Sequence, residues 1–126
     1  IGNARSVMDW LTKEEKIVDA YIEDPLCGFT FTVNGFRTLF ELVGRLYKRE
    51  NLEKMPKDLP VLFIAGAEDP VGGYGKGVQK AYRSFQDIGM KNVRMKLYEG
   101  DRHELLNESD RKQVYEDIYQ WVMSIL

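Results

Sequence analysis

The chain has 126 residues, and its 20 acidic and 18 basic side chains leave a formal net charge of -2 at pH 7. Hydrophobic residues make up 44% of the sequence and charged residues 30%, a balance typical of one globular domain and not of a disordered segment. No basic stripe stands out, so nucleic acid is excluded as an expected partner. No apolar run approaches the ~18 residues of a membrane span.

The cysteine content limits the possible sites and compartments. Cys27 is the single cysteine, which excludes a disulfide within the chain and a cysteine-rich zinc site. A single thiol is typical of a reducing compartment, so we expect a cytoplasmic protein.

The first part of the chain predicts two helices joined by an apolar loop. Thr12-Lys13-Glu14-Glu15 forms a capping-box pattern, in which the Thr12 side chain would accept from first-turn amides and Glu15 would reach back. Apolar residues at helical spacing follow, and this helix ends at Asp24 because the residue before a proline avoids the helical region. After the loop at 26–32, Asn34 opens a second helix with one broad apolar face.

The second part of the chain predicts alternating strands and helices. Val61-Leu62-Phe63-Ile64-Ala65 is an unbroken apolar run, typical of a strand buried on both faces in a parallel sheet. A helix over 75–88 is predicted next, with Gly89 as its C-terminal stop, and then a half-buried strand over 93–98. A last helix begins at about Ser109, and we expect it to bury Val114, Ile118, Trp121, Val122 and Ile125. This order indicates a crossover unit of an α/β sheet.

The predicted sheet is incomplete. The strand at 61–65 has the composition of an interior strand, yet the chain offers it only one clear neighbour, the strand at 93–98. Its other edge would carry unpaired amides and carbonyls, which a folded protein must pair or cover. We therefore expect that edge to receive strands from a preceding segment or from a second copy of this chain.

Two titratable residues follow the two predicted strands. Asp69 lies in Ala65-Gly66-Ala67-Glu68-Asp69-Pro70, and His103, the only histidine, lies in Gly100-Asp101-Arg102-His103. Each has an ordinary alternative, since an aspartate before proline often caps a turn and a lone loop histidine is often solvated. The chemistry of open α/β sheets, however, lies at the carboxyl ends of their strands. A carboxylate there can orient an imidazole that takes a proton from a serine, so this pair favours the acid and base of a hydrolytic triad.

Residues 60–122 resemble the C-terminal section of the serine α/β-hydrolase family, in its monoacylglycerol lipase and lysophospholipase-like, serine aminopeptidase S33-type branch. The resemblance lies in the residues around Asp69, in His103-Glu104-Leu105-Leu106-Asn107-Glu108 and in the closing Trp121. Residues 8–32, which include Asp24-Pro25-Leu26-Cys27-Gly28, are similar to part of the helical cap of bacterial members.

The resemblance implies a C-terminal part of an α/β-hydrolase: a helical cap segment at 1–57, then two parallel strands with flanking helices at 58–126. It implies that Asp69 is the triad acid and His103 the base, in the chain order that the family uses. It implies hydrolysis of an ester with a lipid-like or other apolar acyl group, without a metal or organic cofactor. Residues that would line the acyl pocket, for which ordinary packing of cap helices is an equal alternative, are Cys27, Phe29, Phe31, Phe36 and Phe40.

The chain departs from the family in lacking the nucleophile. No serine lies in a Gly-x-Ser-x-Gly elbow; the four serines are Ser6, Ser84, Ser109 and Ser124. Cys27 precedes both partners, but an apolar loop does not lower a thiol pKa. We therefore expect almost no hydrolysis by this chain alone, since the elbow also supplies an oxyanion-hole amide.

Two alternatives stay open for this chain. It is a non-catalytic fragment or a binding module that assembles through the open sheet edge, or it belongs to a hydrolase relative with an aspartate nucleophile, such as a dehalogenase or epoxide hydrolase. The identity of the missing elbow residue distinguishes the serine and aspartate alternatives.

Overall fold

A computed structural model describes residues 4–126. In that part of the chain the elements follow in the order α1 (Glu15–Glu23), α2 (Val33–Leu46), α3 (Arg49–Leu52), β1 (Val61–Gly66), α4 (Lys76–Asp87), β2 (Val93–Tyr98), a 3-10 turn (Leu105–Asn107) and α5 (Arg111–Met123). None of the helices in this described part is both long and apolar enough to cross a membrane.

The predicted capping box before α1 is wrong. Glu14 occupies the N-cap position and makes no side-chain capping bond. Thr12 is fully buried, and its hydroxyl donates to a carboxylate oxygen of Glu108 at 2.9 Å while accepting from the Glu14 amide at 3.1 Å. A buried hydroxyl next to a charged acceptor gains more from that bond than from a neutral cap. The predicted end of α1 before Pro25 is confirmed, with Asp24 as the C-cap.

Helix α2 begins one residue earlier than predicted. Thr32 is its N-cap, and the Thr32 hydroxyl accepts from the Gly35 amide at 3.1 Å, as capping threonines commonly do. The broad apolar face is present, but no residue of the helix is buried within the described structure. Phe40 is 66% exposed and Leu46 58%.

The two strands form a parallel pair. The register runs from Val61 opposite Val93 to Gly66 opposite Tyr98, and α4 makes the crossover between the strands. Among the described residues β1 has β2 as its only partner, so one edge of β1 is unpaired. Residues 61–64 are only half-buried, although the sequence predicts a strand buried on both faces. The unpaired edge accounts for this difference, because no described strand or helix covers the strand there.

The small core lies between the sheet and the C-terminal helix. Tyr98, Leu105 and Val114 form its buried cluster, against which Ile64 and Ile118 pack. Helix α5 begins at Arg111, two residues later than the predicted start at about Ser109, and Asp110 is its N-cap residue.

The end of α5 and the residues that follow it are less buried than predicted. Val122 is 36% exposed and Ile125 44% exposed. Ile125 borders an open groove of about 410 Å³ whose other walls include Lys91 and Asn92, so its side chain does not reach the apolar core.

Candidate active site

Parallel pairing brings the loops that follow β1 and β2 to the same edge of the sheet. Backbone pairing continues past the strands, with the Ala67 amide donating to the Tyr98 carbonyl at 2.8 Å and the Glu68 amide to the Asp101 carbonyl at 2.9 Å. This approach requires glycine at position 66, because a Cβ there would lie 2.2 Å from the carbonyl oxygens of Asp101 and Arg102. The two loops are therefore held together by their main chains.

Asp69 and His103 meet at this edge. Oδ2 of Asp69 lies 3.0 Å from Nδ1 of His103, within the hydrogen-bond reach expected from the sequence. The other carboxylate oxygen, Oδ1, accepts from the Val71 amide at 2.8 Å, which fixes the plane of the carboxylate. Since an ionised carboxylate only accepts, Nδ1 carries the proton that it donates.

The environments of the two partners differ. Asp69 is 6% exposed, whereas the His103 side chain is 40% exposed. In the described part of the chain, Nε2 of His103 has no hydrogen-bond partner. A buried carboxylate thus holds Nδ1 of His103, and Nε2 is left free to bind another group.

Trp10 is a neighbour of His103 that the sequence did not predict. The indole lies with its centroid 5.1 Å from that of the imidazole, at an interplanar angle of 56°. The Trp10 carbonyl also accepts from the His103 amide at 3.3 Å. No sequence signal linked residues so far apart, because Trp10 precedes α1 and His103 follows β2.

The Asp101 carboxylate, two residues before His103, forms an ion pair with the half-buried Lys13 side chain. The Asp101 side chain is fully buried and accepts from Nζ of Lys13, while its Oδ2 has no hydrogen-bond partner among the described residues. Burial raises the pKa of Asp101, against the opposing effect of the Lys13 charge. Burial is the largest single influence on the pKa of Lys13 and would lower it, but the hydrogen bond to Asp101 and the negative charges of Asp101, Glu108 and Asp110 together outweigh burial, and the Lys13 pKa is raised.

Four of the residues predicted to line an acyl pocket form a row of aromatic rings. The ring centroids are 5.6 Å apart for Phe29 and Phe31, 5.5 Å for Phe31 and Phe36, and 6.0 Å for Phe36 and Phe40. Phe36 and Phe40 border an open groove of about 540 Å³ together with Val33 and Arg37.

The groove next to His103 is a different one. It measures about 400 Å³, and its lining residues are Ile64, His103, Glu104, Leu105, Leu106 and Asn107. The role of the phenylalanines in binding an acyl chain therefore stays a prediction.

The described structure places no nucleophile at Nε2 of His103. Ser6, Ser84 and Ser124 each donate to a residue three or four positions away, and Ser109 is exposed just before α5. Burial and the Asp24 carboxylate raise the pKa of Cys27, the opposite of what a nucleophilic thiolate requires. No group of three His, Cys, Asp or Glu side chains within 4–126 is placed to hold a metal ion.

The chain is similar in sequence to known hydrolases. A family model described as serine aminopeptidase, S33 matches residues 3–110. A monoacylglycerol lipase of Mycolicibacterium smegmatis is 27% identical over 122 residues, which are 94% of this chain but 40% of the relative.

Solved structures show the same similarity. A thermostable carboxyl esterase of Bacillus coagulans, solved with glycerol, superposes with a TM-score of 0.82 at 33% identity, over 99% of this chain and 41% of the esterase. An open-form lipase superposes with a TM-score of 0.83 at 26% identity, over 94% and 38% of the two chains. The predicted fold class is confirmed: two parallel strands and their helices match part of an α/β-hydrolase, and the chain spans less than half the length of these relatives.

Proposed function

We propose that this chain, which belongs to the serine aminopeptidase, S33 family, carries the acid and the base of a serine ester hydrolase whose nucleophile lies outside these 126 residues. The observation that carries the proposal is the 3.0 Å contact between Asp69 Oδ2 and His103 Nδ1, at the carboxyl ends of two paired parallel strands. The named relatives include a carboxyl esterase and a monoacylglycerol lipase, which supports ester hydrolysis as the reaction class.

The proposed mechanism assigns a separate task to each partner. A serine from outside this chain attacks the ester carbonyl, and Nε2 of His103 takes the proton of that serine. His103 then gives the proton to the leaving alcohol. Asp69 accepts the hydrogen bond from Nδ1 and thereby favours the tautomer in which Nε2 carries no proton. The negative charge of Asp69 also stabilises the imidazolium that forms.

We propose an apolar acyl or lipid ester as the substrate class. Support comes from the monoacylglycerol lipase relative and from the row of four exposed phenylalanines in and before α2. Aromatic side chains supply large apolar contact areas, which suits an acyl chain. In this proposal the segment at 1–57, of which residues 1–3 lie outside the described structure, belongs to a cap over the site.

We propose that the free edge of β1 pairs with the missing part of the hydrolase. Support comes from the unpaired edge in the described structure and from the 38% to 41% of the solved relatives that this chain spans. A second copy of this chain is the alternative occupant of that edge. The alternative function, a non-catalytic assembly module, would use the same edge.

The deciding experiment is to read the gene upstream of the codon for Ile1 and to assay the complete product with p-nitrophenyl esters. We expect a Gly-x-Ser-x-Gly elbow, ester hydrolysis, and loss of hydrolysis in a His103→Ala variant. An aspartate in the elbow would instead favour a dehalogenase or an epoxide hydrolase. A natural product of 126 residues without hydrolysis would favour the assembly module.

A further inference from the structure

We propose that Glu108 is a positioning residue for His103. Its buried carboxylate holds the loop at 101–108 and the segment at 9–13 in one arrangement, and that arrangement places the imidazole against Asp69. The inference rests on the proposed function only where it takes His103 as the base; the positioning itself is a property of the chain.

The Glu108 carboxylate joins two distant segments of the chain. Its Oε1 accepts from the Arg102 amide at 2.7 Å, and its Oε2 accepts from the Thr12 hydroxyl and from the Lys13 amide, both at 2.9 Å. Glu108 is 0% exposed, so these three donors replace the water that the carboxylate has lost. The Glu108 carboxylate therefore links residues 12 and 13 to residue 102 through buried hydrogen bonds.

The backbone on both sides of His103 is tied down through these contacts. Three consecutive amides are held: that of Arg102 by Glu108, that of His103 by the Trp10 carbonyl at 3.3 Å, and that of Glu104 by the Leu11 carbonyl at 2.7 Å. The segment that holds the last two amides is itself anchored to Glu108 through residues 12 and 13. Glu108 therefore acts on His103 both directly along its loop and indirectly through Trp10.

The local sequence explains how Glu108 reaches this position. The 3-10 turn at Leu105–Asn107 reverses the chain after the histidine, and the Glu108 amide donates to the Leu105 carbonyl at 3.4 Å. The Glu108 side chain, five residues after His103, is thereby placed next to the backbone amide of Arg102.

Three hydrogen-bond donors account for a carboxylate at this position. Two are the backbone amides of Arg102 and Lys13, and the third is the Thr12 hydroxyl. The Thr12 hydroxyl also lies 3.2 Å from the Asn107 carbonyl, which is a second acceptor for it. Glu108→Ala would therefore leave two backbone amides without their acceptor, while the Thr12 hydroxyl could still donate to Asn107.

A glutamine at position 108 gives a sharper expectation than alanine. The glutamine amide has one acceptor oxygen and one NH2 group. With its oxygen in place of Oε1, it keeps the Arg102 amide bonded and sets its NH2 group against the Lys13 amide. With its oxygen in place of Oε2, it keeps the Lys13 amide and the Thr12 hydroxyl bonded and sets its NH2 group against the Arg102 amide. Glu108→Gln should therefore release one of these two backbone amides and not both.

The test is amide hydrogen exchange and ring NMR on the 126-residue chain and its variants. In Glu108→Ala we expect the amides of residues 102–104 and 13 to exchange about 10- to 100-fold faster, because hydrogen bonds to a buried carboxylate are lost. The amides of β1 and β2 should keep their exchange rates. In Glu108→Gln the acceleration should be confined to one of the two backbone amides that the carboxylate binds, that of Arg102 or that of Lys13.

The ring proton on Nδ1 of His103 reports the positioning itself. As the only histidine of the chain, His103 gives an unambiguous signal. We expect this signal to be sharp in the wild type and in Glu108→Gln, and lost to solvent exchange in Glu108→Ala. The control Glu99→Gln makes the same change of charge at an exposed position in the preceding loop and should behave as the wild type.

The proposal is overturned if Glu108→Ala leaves exchange at 102–104 and the Nδ1 signal unchanged, or if exchange accelerates equally in the strands. If the alanine variant does not fold, Glu108→Gln decides alone: acceleration throughout the loop, or at neither Arg102 nor Lys13, contradicts the proposal. None of these readouts needs the nucleophile, so a failure here is distinct from a failure of the proposed ester hydrolysis.

Discussion

Replacing Asp69 by asparagine isolates the contact on which the proposed mechanism depends. Oδ1 of residue 69 would keep accepting from the Val71 amide, so the new NH2 group would face Nδ1 of His103. Nδ1 must then accept, and the ring proton moves to Nε2, the atom that should receive the serine proton. The variant has the right shape and the wrong tautomer.

The magnitude follows from the same contacts. Turning the amide to restore the correct tautomer would set its NH2 against the Val71 amide and leave that part-buried donor unpaired, at about 1–3 kcal/mol. The correct tautomer is thereby reduced about 10- to 100-fold, and the imidazolium also loses the negative charge next to Nδ1. Together these losses should lower kcat by about 10⁴-fold.

The assay compares the complete gene product with its Asp69→Asn variant on a p-nitrophenyl ester. Asp58→Asn is the matched control, because Asp58 is exposed and, among the described residues, its backbone carbonyl but not its carboxylate takes part in a hydrogen bond. Ring ¹⁵N NMR on the 126-residue chain should show the His103 proton moving from Nδ1 to Nε2. A kcat within tenfold of the wild type, or an unchanged tautomer, would refute the reasoning.

Three further predictions concern the chain as it stands. Purified alone, the 126-residue chain should hydrolyse p-nitrophenyl esters no faster than buffer does. Robust hydrolysis that a serine-directed inhibitor blocks would contradict the proposal that the nucleophile lies outside this chain. Gly66→Ala should lower the free energy of unfolding by about 2–5 kcal/mol in urea denaturation, since its Cβ meets two backbone carbonyls. Gly44→Ala is the control, because a Cβ at this position on α2 meets open space; we expect it to be neutral or to stabilise the fold by up to about 1 kcal/mol. An equal loss of unfolding free energy in both variants would refute the close backbone contact at Gly66. Hydrogen bonds from Lys96 and Tyr98 lower the pKa of Asp117, so its stabilisation is present above the ordinary value of 3.8 and is lost as the pH falls. At pH 7 the wild type should therefore have a larger free energy of unfolding than Asp117→Asn, and this difference should shrink in acid. A difference that does not change with pH would contradict the stabilising role of the ionised Asp117 carboxylate.

The elements that the sequence predicted well are those with strong local signals. The apolar run at 61–65, the alternation at 93–98 and the helix ending before Gly89 each carry their own period or stop residue. The meeting of Asp69 and His103 could be predicted as well, because parallel strands end at one edge of a sheet.

The features that the sequence did not predict depend on distant partners. Thr12 has the pattern of a cap, yet its hydroxyl bonds to Glu108, 96 positions away. Trp10 reaches His103 only because the chain folds back over the loop after β2. The partial burial of β1 likewise reflects its second edge, which has no partner strand among the described residues, and no local propensity reports a tertiary neighbour.

The most direct test of the central claim is to label the complete gene product with a fluorophosphonate and map the modified serine by mass spectrometry. The account predicts one labelled serine, in a Gly-x-Ser-x-Gly sequence outside the 126 residues, and loss of labelling in His103→Ala. A labelled serine within this chain, or labelling that persists without His103, would contradict it.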